Sequence, residues 1–326
     1  MPVQQKSGSD NTVHHPKNVR LMKYEVSGYG DHKIVSTTIT EVRYQEVCAA
    51  RRICLFALEI EEKCALLIDN YYEFECELLK LAQASAIWPH MEHSDSMLKR
   101  LSLDRRIVNL LTACRLYLDQ TEHTISSIFG VSSTEIARFR KLRNDLYDAH
   151  WGYRLMEAIR NHVQHAGLVA HSITHSSSLI GGRIKNYAQQ TVLPTTNVET
   201  LATNPGFKKS VLNELRKQKQ PIDLRPPLRE YVSCLVRLHE HVREIMGDRL
   251  EENRQLYETA VKKFSTIRGK AVSCASLRIL DDTRTIREEC PLVTEFLGYH
   301  DLLLKRFSAR SDLDRVCASN SIQERA

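Results

Sequence analysis

The stretch Ile53–Leu81, ICLFALEIEEKCALLIDNYYEFECELLKL, decides the fold class. Ile53, Ile60, Leu67, Phe74 and Leu81 recur every seven residues, and Ala57, Cys64, Tyr71 and Leu78 fall four places after the first four of them. On a helix, positions three and four apart share a side, so this spacing lays a wide apolar seam along one face. Neither Gly nor Pro interrupts the chain from Tyr44 to Gln83. A helix of about ten turns is expected there, packed against another long helix.

Working outward, Trp88-Pro89 closes that helix, and a second from Asp95 to about Glu122 presents Leu103, Ile107, Leu110, Cys114 and Tyr117. Ser132-Ser133-Thr134-Glu135 opens a third with a cap-like start, continuing through Ile136, Phe139, Leu142 and Leu146. After His150-Trp151-Gly152 a fourth, shorter helix carries Leu155, Met156 and Ile159, and Gly167 stands where it should stop. Residues 44–167 therefore read as a four-helix unit with two long members.

Extended segments flank this unit. Residues 19–43 read as a β-hairpin, with Ser27-Gly28-Tyr29-Gly30-Asp31 as its turn. Residues 168–200 read as another, turning at Gly181-Gly182 and closed by Pro194, and the two hairpins can pair into one small sheet. A C-terminal helical extension is expected over 201–307. It holds a short helix at Phe207–Lys217, a long one launched by Pro226-Pro227 with Leu228, Val232, Leu235, Val242, Ile245, Leu256, Val261 and Phe264 on its apolar face, and a last one at Leu292–Phe307. Residues 1–18 form a loose polar lead and 308–326 a frayed tail. The expected class is mainly α with a small β element.

Composition agrees. With 12 Gly and 9 Pro in 326 residues, long helices are favoured over a turn-rich β fold. The net charge of +6 permits a nucleic-acid partner without demanding one. Nine cysteines without a CxxC pair, four of them (Cys48, Cys54, Cys64, Cys76) in the first helical run, suggest reduced thiols and a cytoplasmic protein. Met1–Arg20 lacks the apolar core of a signal peptide, and no apolar run is long enough for a membrane span.

The fourth helix carries the chemistry. In Leu155-Met-Glu-Ala-Ile-Arg-Asn-His-Val-Gln-His-Ala-Gly167, Arg160-Asn161 is followed by His165. RNA brings its own nucleophile, the 2′-hydroxyl beside the scissile phosphate. A protein has only to move a proton, which histidine does near neutrality, and to hold charge on the phosphoryl oxygens, which the arginine fork does. No metal or cofactor is needed for that route. Arg160 and His165 lie about 140° apart on a straight helix, so either His165 sits where the helix ends or the site is shared across a two-fold axis. Arg154, Asn161 and His165 fall within about 40° of one another, making Arg154 a candidate second arginine with Glu157 placed to orient it.

Arg160-Asn161-His162-Val163-Gln164-His165, on the fourth helix of a four-helix unit, resembles the HEPN superfamily, whose mark is Arg, a polar residue and His four to six positions on. The resemblance covers residues 44–167. It implies a metal-independent endoribonuclease of a bacterial defence or toxin type, acting as a homodimer on RNA, with an antitoxin or other protein partner. It carries Arg160, Asn161 and His165 into the site. The alternative is a non-catalytic helical scaffold, or a nucleic-acid- or protein-binding module, that uses the long seam to bind a partner. A competing Arg-Asn…His run is Arg143-Asn144 with His150; Arg160 is preferred because the apolar run Leu155-Met156-Ile159 precedes it and Gly167 stops the helix just beyond His165. His150, His162, His165, His171 and His175 crowd one window without a recognised metal-ligand spacing, so no metal is expected. No phosphate loop, dinucleotide fingerprint or Gly-x-Ser-x-Gly elbow is present.

Overall fold

The computed structural model describes residues 22–30, 32–88, 93–181, 186–306 and 312–316. The expected N-terminal lead, Asp31, Pro89, Gly182 and most of the tail lie outside these residues. In chain order the elements are β1 (Lys23–Gly30), β2 (Lys33–Thr38), α1 (Glu41–Ile87), α2 (His93–Phe129), α3 (Thr134–Ala149), α4 (Trp151–His165), β3 (Ser172–Gly181) and β4 (Asn186–Thr196). Then follow α5 (Val198–Ala202), α6 (Lys209–Leu215), β5 (Ile222–Asp223), α7 (Arg225–Phe264), β6 (Thr266–Ile267), β7 (Lys270–Ala271), β8 (Ser273–Leu280), β9 (Ile286–Pro291) and α8 (Glu295–Arg306). The protein is mainly helical with antiparallel sheets. Among the described residues no helix is long and apolar enough to cross a membrane.

Two compact units emerge, one from residues up to 51 with 254–294, the other from 52–253 with 295 onward. The division falls inside α1 and α7.

The first unit is built on a four-stranded antiparallel sheet in the order β2-β1-β8-β9. Val26 faces Thr37 on one side and Leu277 on the other. The two predicted hairpins therefore do not join: β1 takes its second partner from a strand some 250 residues away. The predicted turn at Ser27–Asp31 also moves. β1 runs on to Gly30, with Gly28 opposite Val35, and His32 takes the left-handed φ of 60°. The glycines serve a close approach instead, since a Cβ on Gly28 would sit 2.8 Å from the Val272 side chain. Tyr44, Val47 and Ala50 of α1, and Tyr257, Ala260 and Phe264 of α7, are buried in this unit with Val26, Leu277 and Leu280. On this last stretch of α7 the buried positions are Tyr257, Ala260 and Phe264, whereas Leu256 and Val261 are only half-buried.

The second unit is helical. Every seam residue read from the sequence, Ile53 through Leu81, is buried, as are Leu103, Ile107, Leu110, Cys114 and Tyr117 on α2. From Ala57 onward they share one apolar core with α3, α4 and the 228–246 portion of α7. The start of α3 follows its sequence signal, with the Ser133 hydroxyl accepting the Ile136 N–H at 3.2 Å. At the start of α7 the Asp223 carboxylate accepts the Arg225 N–H, and the two prolines occupy a turn whose N–H groups would have no helical partner. A second antiparallel sheet, β3-β4-β5, pairs Ser172 with Thr195 and Thr195 with Asp223.

Inside the helical core sits a polar cluster. Glu61 (α1) and His239 (α7) are each about 3% exposed. The Arg243 guanidinium donates to both Glu61 oxygens at 2.9 and 2.6 Å, and His239 Nε2 lies 3.2 Å from the same carboxylate. The Tyr117 hydroxyl of α2 lies 3.2 Å from His239 Nδ1.

Gly152 fixes how closely α4 meets α7. Its N–H donates to Glu230 at 2.6 Å, and an added Cβ would stand 2.5 Å from both the Glu230 carboxylate and the Pro227 carbonyl. Backbone cannot yield as a flexible side chain can. Gly152→Ala is expected to lower the unfolding free energy by about 1–3 kcal/mol, the range for an overpacked core, as read from urea unfolding midpoints. A cost within roughly 0.5 kcal/mol, ordinary for a surface site, would show that the approach has slack.

Candidate functional site

The site grows from the end of α4. Glu230 caps the start of that helix, holding Gly152 N–H with one oxygen and His150 Nδ1 with the other at 2.9 Å. Leu155, Met156, Ala158, Ile159 and His162 form the buried face, Arg154, Glu157 and Arg160 are half-buried beside it, and Asn161, Gln164 and His165 are exposed. The helix ends at His165, with the N–H groups of Ala166 and Gly167 both reaching the His162 carbonyl.

The candidate residues go to different places. His165 is exposed and lines an open cleft of about 680 Å³, together with Arg100, His162, His171, Thr200 and Asn204. Arg160 and Asn161 lie outside that lining and hold each other, Nη1 to Oδ1 at 2.5 Å. Arg154 turns inward. Its guanidinium donates to Glu214 at 2.8 Å and to the carbonyls of Asp148 and Tyr147 at 2.6 and 3.2 Å. Glu157, expected beside Arg154, instead accepts the Tyr231 hydroxyl at 2.6 Å. In the competing run, Arg143 pairs with Glu122, and His150 with Glu230.

What assembles the cleft comes from α2. Asp104 Oδ1 accepts the N–H groups of Val169 and Ala170 at 3.2 and 2.8 Å, and Arg100, one turn earlier, reaches the Ala170 carbonyl at 3.4 Å. These clamp the segment leaving α4 and deliver His171 to the cleft. The Asp104 carboxyl is buried, and that burial raises its pKa against the two N–H donors and Arg100.

Two of the cleft histidines, His171 and His162, have a defined proton arrangement. The Asn197 N–H can only donate, and it meets His171 Nδ1 at 3.0 Å, so the neutral ring carries its proton on Nε2. Asn204 Oδ1 accepts the Gly206 N–H at 2.9 Å, which turns the Asn204 amide nitrogen toward His162 Nδ1 at 3.2 Å. His162 likewise keeps its hydrogen on Nε2, and its ring packs edge-on against Phe207. Burial pushes both histidine pKa values below the ordinary 6.5, and for His171 the charges of His162 and Arg100 push the same way. Near neutral pH the cleft thus presents one fixed cation, Arg100, two neutral N–H-donating imidazoles and an exposed imidazole at the helix end.

Sequence reading missed Arg100 and Asn204, which carry no local signal, and took His171 only as one of a crowd of histidines. Among the described residues no three His, Cys, Asp or Glu side chains are grouped to hold a metal ion. Comparison with family models, with curated proteins and with solved structures finds no match.

Proposed function

We propose that α1–α4 form a HEPN-like unit and that the cleft at the end of α4 binds and cuts RNA by the 2′-hydroxyl route. The observation that carries the reading is the convergence of Arg100, His162, His165 and His171 on one open cleft. His165, exposed and free to approach substrate, transfers the proton. Arg100 holds the phosphoryl oxygens, and the Nε2–H groups of His162 and His171 add neutral donors. Arg160 and Asn161 meet the same strand outside the cleft or across a two-fold axis in a homodimer. A cytoplasmic defence or toxin role, with a neutralising protein partner, belongs to the same proposal.

One observation favours the alternative of a helical scaffold: the guanidinium of Arg154 is already committed to Glu214 and two carbonyls. Incubating the purified protein with mixed RNA in EDTA separates the two readings. Cleavage leaving 2′,3′-cyclic phosphate ends is expected, with His165→Ala slower by about 10²–10⁴-fold, the usual worth of a general acid or base. No cleavage, or equal cleavage by both proteins, overturns the enzymatic reading and leaves the scaffold.

A further inference from the structure

We propose that Cys48 and Cys290, in the sheet-bearing unit, are a peroxide-sensitive thiol pair that closes to a disulfide. The pairing follows from how α1 lies along β9. Tyr44 on α1 reaches Glu288 on β9, hydroxyl to carboxylate at 3.5 Å. Four residues further along the helix, about 6 Å, stands Cys48. Two residues further along the strand, on the same face and about 6.6 Å away, stands Cys290. The two advances match, so the thiols meet, and they are hydrogen-bonded to each other. Both are half-buried, within reach of a small oxidant, whereas Cys54, Cys64, Cys114 and Cys234 are buried.

The pair is chemically unequal. The Cys48 S–H donates to Cys290, and this holds the Cys290 thiol down at about 7 against the opposing effect of burial, with Arg51 adding its positive charge. Cys48, as donor beside a forming thiolate, is pushed up. One thiol is thereby poised as the nucleophile and its neighbour as the resolving group.

The Cys290 thiolate attacks a hydroperoxide. An S–O bond forms, the O–O bond breaks, sulfur is oxidised to the sulfenic acid, and the departing oxygen leaves as alcohol or water after taking a proton. Cys48 then attacks the Cys290 sulfur. The S–S bond forms, the S–O bond breaks, and hydroxide leaves, taking the Cys48 proton as water. Two thiols and one hydroperoxide give one disulfide, one alcohol and one water. A dithiol reductant reverses the change.

The test treats the full chain with stoichiometric hydrogen peroxide, quenches with iodoacetamide and maps the peptides without reduction. The expected product is a Cys48–Cys290 linked peptide, with the protein lighter by about 2 Da and its thiol titre down by two. Cys290, held down at about 7, is expected to react ahead of Cys64, whose thiol burial pushes up to about 12. Cys48→Ser strands the reaction at a Cys290 sulfenic acid that dimedone labels, whereas Cys290→Ser leaves Cys48 a thiol. Cys48→Ala, which removes the S–H donor, moves the alkylation midpoint of Cys290 upward; this reading needs no oxidation step, and far-UV circular dichroism checks that each variant is folded. Peroxide that leaves both thiols free, links other cysteines, or carries Cys290 to sulfonic acid without the cross-link overturns the proposal, as does an unchanged midpoint in Cys48→Ala.

Discussion

Glu61→Ala is expected to lower the unfolding free energy by about 3–5 kcal/mol, the cost of breaking a buried ion pair by removing one partner. The carboxylate is nearly solvent-free, holds both donors of Arg243, and meets His239. Arg243 itself is 27% exposed, so the orphaned guanidinium can turn toward water, which places the loss near the lower end of that range. The double variant Glu61→Ala/Arg243→Ala should cost less than the two singles added, because neither buried charge is then left alone. Burial alone would raise the Glu61 pKa; the hydrogen bonds from Arg243 and His239 outweigh it and hold the group at about 2, against an ordinary 4.5. The folded state therefore favours the ionised carboxylate, and its contribution is complete above about pH 4.5 and drains away as pH falls toward 2. Urea melts between pH 2 and 7 should show that loss in wild type and a flatter dependence in Glu61→Ala. A cost under roughly 1 kcal/mol, the range of an exposed pair, would mean that the cluster contributes packing alone.

The same cluster shows what a sequence can and cannot disclose. The seam of α1 is legible because Ile53, Ile60, Leu67 and Phe74 are related by the helix's own period, and each is buried. Glu61 breaks that apolar logic, and its reasons, His239 and Arg243, stand some 180 residues away. β8 and β9 went unread for a similar cause. Cys274 takes a left-handed φ of 52°, and most of β9 is exposed, so neither strand shows clean alternation, and β8 finds its partner β1 only through the fold. The cleft divides along the same line. His162, His165 and His171 are close in sequence and visible as a cluster, whereas Arg100 arrives from α2 and Asn204 from the segment after α5. Helical spacing could group Arg154 with His165 on one face, but not foresee that Glu214 of α6 would draw Arg154 inward.

That relocation makes Arg100 the residue whose removal should matter most to RNA cleavage. Under the proposed reading, Arg100→Ala lowers kcat by about 10²–10³, the cost of losing one preorganised donor to developing charge. Arg100→Lys recovers only part of it, since a point charge lacks the planar fork. Arg100 also reaches the Ala170 carbonyl, so a loss of activity alone could come from a loosened segment. Partial recovery in Arg100→Lys favours the phosphate role, and the pH profile tests whether the charge reaches His171. Burial first, then His162 and Arg100, keep the His171 pKa below 6.5, so its ring stays neutral and Nδ1 remains free to accept the Asn197 N–H. Because the unfolded chain binds that proton more readily, the associated stability is full above about pH 6.5 and falls as pH drops toward the lower folded value. Removing the arginine charge moves the folded value upward, so the acid limb of kcat should shift to higher pH in Arg100→Ala and return toward wild type in Arg100→Lys. A large loss that Arg100→Lys does not partly recover would remove Arg100 from the phosphate, and an unmoved acid limb in Arg100→Ala would show that its charge does not reach His171.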